Sequence, residues 1–394
     1  MIVDKAIIIL PTDSFISTTW IKSKVERKCL NPHFFFLDQN YHLSKKQIIK
    51  KINEVVKKQE INFGFFQGDY ISLIDYDFIT KINCSKKYLY LTDDFDMHEV
   101  NTLTALACDG IISGCPISVF KYKEKNLNAY FVIHESDERV YKNLNINKDI
   151  DVIFFGTLKA DRINFINKLK ENKINLKIVG PADSNSALVS NEELNKLINR
   201  SKIVLNFSST GYKNKFYSHK TFAFNYLILK GRVMISGLCG SLCISEYAPA
   251  HKLIFREDAL PEFKDAEEMI TKIKYFLNDE NALKNQTTKF AKACKSYSDE
   301  VYMNNLFKDL ILKSHRKKVN KFPFWYLRTF YLKHTRLYGK NRYLLSYILN
   351  TTDNLCELFK FKNYLNLVII FETIVYLPLM IIKILFNKFK IDKN

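Results

Sequence analysis

The feature that most constrains the fold is a short apolar segment that ends in glycine and is followed at once by a helical pattern. Residues 152–155 (V-I-F-F) are rich in β-branched and aromatic side chains, and Gly156 closes the run. From Leu158 to Leu169, apolar residues then recur with helical spacing. In doubly wound α/β proteins, a buried strand that ends in glycine and opens a helix presents backbone N–H groups to an anionic ligand. The segment therefore predicts a strand–turn–helix unit of an α/β fold.

The same alternation of apolar runs and helical patterns extends along most of the chain. Apolar runs that predict strands lie at residues 6–10, 34–37, 63–66, 88–91, 110–112, 129–133, 152–155, 176–179, 203–207, 233–235 and 242–244. Helical patterns lie at residues 18–28, 44–59, 192–200, 219–229, 266–277, 282–293 and 299–312. Strands separated by helices predict parallel sheets that bind ligands at the carboxyl ends of their strands. The predicted fold class is therefore α/β, with two Rossmann-like domains facing a central cleft and a helical C-terminal tail.

The domain boundaries follow from a change in composition. A chain of 394 residues is long enough for two domains, and the polar stretch 134–149 precedes a fresh strand. We therefore expect one Rossmann-like domain at residues 1–140, a second at 141–312, and a tail at 313–394. The first domain has no G-x-G-x-x-G sequence, which argues against a dinucleotide fingerprint.

The charge of the chain is strongly positive and unevenly placed. A net charge of +19 attracts partners that carry phosphate, such as nucleic acid, anionic membranes or nucleotide-linked substrates. Residues 313–342 contain ten Lys and Arg residues and no Asp or Glu. More than half of the excess charge therefore lies in the tail.

The eight cysteines are scattered and form no C-x-x-C pair. Several lie in apolar runs, where a free cysteine behaves as a small hydrophobic residue. Cys239 and Cys243 lack the accompanying His or Cys pair of a zinc site. We therefore expect reduced thiols, no bound metal and a cytosolic compartment. The N-terminal apolar run, which follows Asp4 and Lys5, is too short for an export signal.

The tail contains the most apolar stretch of the chain, residues 365–382, with lysines on both sides. As a membrane-spanning helix it is barely long enough, and Glu372 would cost about 2.5–3.5 kcal/mol on insertion scales. As a helix of a soluble core it is interrupted by Pro378. Docking in the interface of an anionic membrane fits best, because a basic and aromatic stretch precedes it. That stretch could also stack on single-stranded nucleic acid, but no RNA- or DNA-binding motif accompanies it.

Particular segments resemble one family of glycosyltransferases. Residues 151–169 (D-V-I-F-F-G-T-L-K-A-D-R-I-N-F-I-N-K-L) resemble the opening of the C-terminal half in CgeB-like glycosyltransferases. Residues 201–208 (S-K-I-V-L-N-F-S), 219–236 (H-K-T-F-A-F-N-Y-L-I-L-K-G-R-V-M-I-S) and 245–249 (S-E-Y-A-P) resemble the donor-binding core of that family. The resemblance departs at Lys220 and Phe224, where the family commonly has Arg and Glu. That departure shifts the expected carboxylate contact to Glu246.

The resemblance implies the GT-B architecture and transfer of a sugar from a nucleotide-activated donor, usually without a bound metal. Its donor-binding candidates are Gly156, Thr157, Arg162, Ser208, His219, Lys220 and Glu246. Gly156 and Thr157 would offer N–H groups, the basic side chains would neutralise the diphosphate, and Glu246 would accept the ribose hydroxyls. The alternative is that these residues form an ordinary turn and solvated helix faces.

Carboxylates that follow strands of the first domain are candidates for the base that deprotonates an acceptor hydroxyl. They are Asp13, Asp93 and Asp94. The same residues could instead cap the helices that follow them, which is the commoner role of Asp at such positions.

The predicted function is therefore a metal-independent glycosyltransferase at the cytosolic face of the membrane. It would use a nucleotide sugar as co-substrate, no other cofactor, and a surface glycan or lipid-linked acceptor. Two alternatives remain open. One is another nucleotide-activated transfer, such as that of a polyol phosphate, and the other is a non-catalytic protein that binds membranes or nucleic acid.

Overall fold

The computed structural model describes residues 2–13, 16–40, 42–68, 73–92, 94–158, 160–180, 189–209, 227–256 and 258–313. Its described residues divide into two compact units. The first comprises residues 2–114, 118–131 and 307–313, and the second comprises residues 115–117 and 132–306. The domain boundaries expected at residues 140 and 312 stay predictions. Residues 219–226 of the predicted helix and the tail beyond Lys313 lie outside the described residues. Residues 227–229, the end of that predicted helix, are not helical, because Leu227 forms an antiparallel bridge with Ser209.

The first unit is built on a parallel sheet of six strands in the order β2-β1-β3-β4-β5-β6. The strands are β1 (Val3–Leu10), β2 (Cys29–Phe36), β3 (Phe63–Gln67), β4 (Lys86–Leu91), β5 (Gly110–Ser113) and β6 (Ala129–Phe131). The helices between them are α1 (Ile16–Glu26), α2 (Lys45–Gln59), α3 (Tyr76–Thr80), α4 (Asp94–Ala105) and α5 (Pro116–Glu124). Residues 6–10 of β1 are completely buried. A strand covered on both faces is characteristic of a parallel sheet flanked by helices, as the unbroken apolar runs predicted.

Helix α2 shows how directly local sequence determines this unit. Ser44 caps its N-terminus by accepting a hydrogen bond from the backbone N–H of Gln47, whose side chain accepts one from the backbone N–H of Ser44. The apolar positions Ile48, Ile52 and Val56 face the core. A capping box and a stripe of apolar residues fix both the start and the buried face of a helix. The predicted helix at residues 44–59 is therefore confirmed.

The second unit contains a parallel sheet of five strands in the order β11-β10-β9-β7-β8. The strands are β7 (Ile150–Phe155), β8 (Leu176–Val179), β9 (Ser201–Asn206), β10 (Leu242–Glu246) and β11 (Glu262–Phe263). The helices are α6 (Ala160–Glu171), α7 (Asn191–Asn199), α8 (Gly231–Leu238), α9 (His251–Ile254), α10 (Ala266–Asn278), α11 (Glu280–Lys295) and α12 (Asp299–Leu312). Strands β9 and β8 flank β7 with parallel register. The loops that follow β7, β9 and β10 therefore lie at one edge of the sheet.

One strand prediction is wrong, because residues 233–235 belong to helix α8. Three apolar residues fit a buried strand or the buried face of one helical turn equally well. Val233, Met234 and Ile235 are all buried, and Gly237 permits close packing of α8 on α11. A Cβ atom at position 237 would lie 2.3 Å from the Cys294 Sγ atom.

Two further expectations concern cysteines and membranes. Seven of the eight cysteines lie in the described residues, and all seven are buried and free. Within the same residues, no helix has the length and apolar character needed to cross a bilayer. The apolar stretch at 365–382 lies outside them.

Gly180→Ala is expected to lower the free energy of unfolding by about 1–3 kcal/mol. Residue 180 has a φ of +119°, and a Cβ atom there would lie 3.0 Å from the backbone N and O atoms of Gly156. Urea unfolding followed by circular dichroism measures the loss. Lys173→Gly is the control, because Lys173 has a φ of 55°, a conformation that glycine adopts without strain. An equal loss of stability in both variants would contradict the prediction.

Candidate functional site

Three loops at one edge of the second sheet bring together most of the described donor-site candidates. Gly156 and Thr157 follow β7, Ser208 follows β9, and Glu246 ends β10. Since β7, β9 and β10 are adjacent parallel strands, their carboxyl ends share an edge. This edge is where open α/β sheets bind their ligands. We call this group of three loops the carboxyl-edge site.

Glu246 connects two of these loops. Its Oε2 atom accepts hydrogen bonds from the backbone N–H groups of Ser208 and Ser209, at 2.8 and 2.9 Å. The hydroxyl of Ser208 donates to the backbone oxygen of Glu246 at 2.7 Å. The other carboxylate oxygen, Oε1, has no hydrogen-bond partner among the residues that the structure describes. Glu246 is thus held rigidly and can still accept a hydrogen bond from a ligand.

Arg162 is a buried residue that connects two loops of the site. Its side chain is only 3% exposed, although it stands in the first turn of α6. Its Nη1 atom donates to the Thr157 backbone oxygen at 2.7 Å, and its Nη2 atom donates to that of Ser209 at 2.9 Å. The guanidinium therefore links the loops after β7 and β9. The hypothesis that Arg162 is a solvated helix residue is not supported by this burial, and its predicted contact with a diphosphate stays a prediction.

Arg232 is the residue of the site that the sequence analysis missed. Its Nε atom donates to the Phe155 backbone oxygen at 2.6 Å, and its Nη1 atom donates to Asn206 Oδ1 at 2.8 Å. Both acceptors are neutral. The side chain thus reaches from α8 to the ends of β7 and β9. Its signal in the sequence was the K-G-R tripeptide at 230–232, which precedes the apolar run that we predicted to be a strand.

Gly156 contributes space to the site. Its φ is +118°, and a Cβ atom at this position would lie 3.0 Å from Nη2 of Arg232. Its backbone N–H donates to the Val179 backbone oxygen at 2.8 Å. We expected this N–H to contact the ligand, but it is already used within the sheet. Thr157 is exposed and provides the next backbone N–H of the turn. The missing side chain of Gly156 is what lets the Arg232 guanidinium reach the end of β7.

The electrostatics of the carboxyl-edge site favour an anion. Burial lowers the pKa of Arg232 to about 10, and the positive charge of Arg162 adds to that effect. Two guanidinium groups that disfavour each other's charge are stabilised when an anion binds beside them. A diphosphate is an anion that arginine recognises with paired hydrogen bonds.

The candidate bases of the first unit differ sharply in environment. Asp13 is exposed and forms an ion pair of 2.9 Å with Lys22. Asp94 is completely buried at the start of α4, and its carboxylate accepts hydrogen bonds from Asn101, Ser113 and Tyr122 at 2.8–2.9 Å. This burial favours a structural role for Asp94, since three side chains of the same unit occupy its oxygens. Asp93, His219 and Lys220 lie outside the described residues.

Comparison with known proteins agrees with this architecture. A family model described as glycosyl transferase-like matches residues 162–298, and no curated protein matches the sequence. The chain is similar to Anabaena HepE in complex with UDP and glucose, with a TM-score of 0.53, 10% identity, and 78% of this chain and 99% of that chain covered. The chain is also similar to sucrose-phosphate synthase from Thermosynechococcus elongatus, with a TM-score of 0.53 and 7% identity, and 78% of this chain and 99% of that chain are covered. A third similar structure is a Listeria monocytogenes protein described as a UDP-N-acetylglucosamine 2-epimerase. Its TM-score is 0.51 at 11% identity, and 80% of this chain and 98% of that chain are covered.

At these identities the structural likeness shows the fold alone. The chain has a mixed α/β fold with parallel sheets, similar to that of GT-B proteins. The family match begins at Arg162 and includes Ser208, Arg232 and Glu246. It spans the part of the second unit that holds most of the carboxyl-edge site.

Asp94→Asn is expected to change how stability depends on pH. Burial raises the pKa of Asp94 in the folded state, against the opposing effect of its hydrogen bonds. The wild type should therefore lose stability relative to the variant as pH rises from about 4, the ordinary pKa of an unfolded Asp, through the raised folded value. Urea unfolding at a series of pH values measures this difference, with the exposed residue in Asp13→Asn as control. A wild type whose stability relative to the variant stays constant or rises over this pH range would contradict the prediction.

Proposed function

We propose that the protein is a GT-B-type glycosyltransferase, similar to the CgeB-like family, that transfers a sugar from a nucleotide sugar. The observation that carries the proposal is the pair of arginines at the carboxyl ends of β7 and β9. Arg162 is buried behind the loops, and neutral acceptors aim Arg232 at the glycine that ends β7. The family match over residues 162–298 supports the assignment.

The geometry suggests how a donor would be held. The diphosphate would lie in the space above Gly156, beside Arg232 and the backbone N–H of the exposed residue Thr157. The free Oε1 atom of Glu246 would accept hydrogen bonds from the ribose hydroxyls. Since Oε2 is fixed by two backbone N–H groups, Oε1 has a defined position. A fixed acceptor selects a ligand that carries hydroxyls at the matching place.

In the transfer step, the bond between the anomeric carbon and the β-phosphate oxygen breaks, and the nucleoside diphosphate leaves with the electron pair. An acceptor hydroxyl oxygen forms the new bond to that carbon, and its proton passes to a base. Arg232 would stabilise the charge that develops on the leaving diphosphate, with Arg162 as a second cation behind it. This role of the arginines needs no metal ion, as the resemblance also implies.

Asp13 is the candidate base with an exposed carboxylate, and Asp93 remains a candidate from the sequence. The acceptor we propose is a surface glycan or a lipid-linked glycan. We also propose that the tail at 313–394 docks the enzyme on the cytosolic face of an anionic membrane. These assignments derive from the sequence, namely the ten basic residues at 313–342 and the apolar stretch that follows.

The first test is a calorimetric titration with a panel of nucleoside diphosphates that begins with UDP, the ligand named for HepE. Arg232→Gln is expected to weaken binding about 10- to 100-fold, because a hydrogen bond to a charged group contributes about 1.5–3 kcal/mol. Arg256→Gln is the matched control, since Arg256 is an exposed arginine of the same unit. This substitution should leave the affinity for nucleoside diphosphates unchanged. A wild-type protein that binds no member of the panel would refute the proposed function.

A second variant separates ribose recognition from diphosphate recognition. Glu246→Gln keeps the shape of the side chain but removes the charge that favours two hydroxyl donors. Its affinity for UDP is expected to fall several-fold, while its affinity for inorganic pyrophosphate stays at the wild-type value. Titration calorimetry with both ligands measures this. A parallel loss for both ligands would show that Glu246 acts on the whole site and not on the ribose.

A further inference from the structure

Helix α8 begins without a capping side chain of its own. Lys230 stands at its N-cap and forms no side-chain capping hydrogen bond. The carboxylate of Glu135 instead lies directly over the first residue of the helix. A Cβ atom at Gly231 would come within 2.0 Å of the Glu135 carboxyl carbon and within 2.2 and 2.3 Å of its oxygens. A negative charge at this place is stabilised by the helix dipole, so Glu135 acts as a resident anion at the start of α8.

This resident anion is close to the carboxyl-edge site. Gly231 is followed at once by Arg232, whose guanidinium extends to the ends of β7 and β9. Glu135 is near enough to Arg232 for its negative charge to oppose, after the larger effect of Cys243, the lowering of the Arg232 pKa that burial and Arg162 cause. Arg232 is thus influenced by an acid of its own chain, while its guanidinium lies beside Gly156.

A bound diphosphate would meet the same cations and also the like charge of Glu135. Like charges near one another disfavour the charged form of each, and the effect is strong where water is partly excluded. The cost depends on the charge of the ligand. A nucleotide sugar carries one charge on each phosphate, whereas the released nucleoside diphosphate gains a terminal phosphate oxygen whose second pKa is about 6. The product is therefore more negative than the donor at neutral pH.

We propose that Glu135 sets the affinity of the donor site, because its charge disfavours the nucleoside diphosphate product more than the nucleotide sugar. This inference rests on the proposed function. Glu135 balances Arg232 and the start of α8 when the site is empty. It then weakens retention of the leaving diphosphate, so that product release does not limit turnover.

The test compares three ligands on wild type, Glu135→Gln and a control. The ligands are inorganic pyrophosphate, UDP and UDP-glucose, titrated by calorimetry at pH 7.5 and low salt. Glu135→Gln is expected to bind pyrophosphate and UDP about 3- to 10-fold more tightly, and UDP-glucose with a smaller gain. Glu138→Gln, which removes a carboxylate three residues away in the same segment, should match the wild type. Unchanged or weaker binding of pyrophosphate and UDP by Glu135→Gln would overturn the proposal.

A second variant keeps the proposal testable if Glu135→Gln does not fold. Gly231→Ala retains the acid but forces its carboxylate away from α8, because the added methyl group would occupy its place. It should tighten pyrophosphate binding as Glu135→Gln does, and wild-type affinity in this variant would count against the proposal. Tighter pyrophosphate binding by the variants, with no binding of any nucleotide to any form of the protein, would refute glycosyl transfer, and with it the discrimination between product and donor, and would leave Glu135 only as a charge that opposes anions. Nucleotide binding that neither variant changes would support the proposed function and refute the role of Glu135. Absence of all binding would overturn both the proposed function and the role of Glu135.

Discussion

The second unit depends on one long side chain that crosses the ends of two strands. Arg232 starts at the first turn of α8 and donates to a backbone oxygen of β7 and to the Asn206 amide of β9. The contact is possible because residue 156 is a glycine with a positive φ, whose missing Cβ atom leaves room for the guanidinium. Arg232 is partly buried, and withdrawing an arginine from water is costly unless its N–H groups are satisfied. The carbonyl and amide acceptors satisfy two of those donors without cancelling the charge, so the positive charge remains available to a ligand.

Arg162 and Glu246 complete this arrangement from opposite sides. Arg162 connects the loops after β7 and β9 from within the protein, and Glu246 connects the loop after β9 to the end of β10. Each of the three charged residues therefore holds a loop with one part of its side chain. Arg232 and Glu246 keep another part for a ligand. Preorganisation of this kind lets charged groups stabilise a developing charge without first having to move.

The sequence predicted the parts of this arrangement that depend on local pattern. Gly156, Ser208 and Glu246 were found because each follows an apolar run, and the carboxyl ends of parallel strands meet at one edge. Arg232 was missed because the three apolar residues after it fit a strand as well as a helix. The contacts between Glu135 and Gly231, and between Gly156 N–H and the Val179 oxygen, join positions far apart in the chain. No local pattern encodes such pairs, and the burial of Asp94 likewise depends on partners from β5 and α5.

The contact between Glu135 and Gly231 also has a consequence for how this chain can diverge. Three of the five strands of the second sheet, β7, β8 and β9, lie between the two positions in sequence. A side chain at residue 231 would nevertheless occupy the place of the Glu135 carboxylate. A descendant that keeps the carboxylate at its place over α8 must keep the glycine, whereas one that replaces the acid with a small residue releases position 231 to vary. Residues 135 and 231 should therefore covary during evolution. The residues found at these two positions would show which lineages retain a charged neighbour beside Arg232.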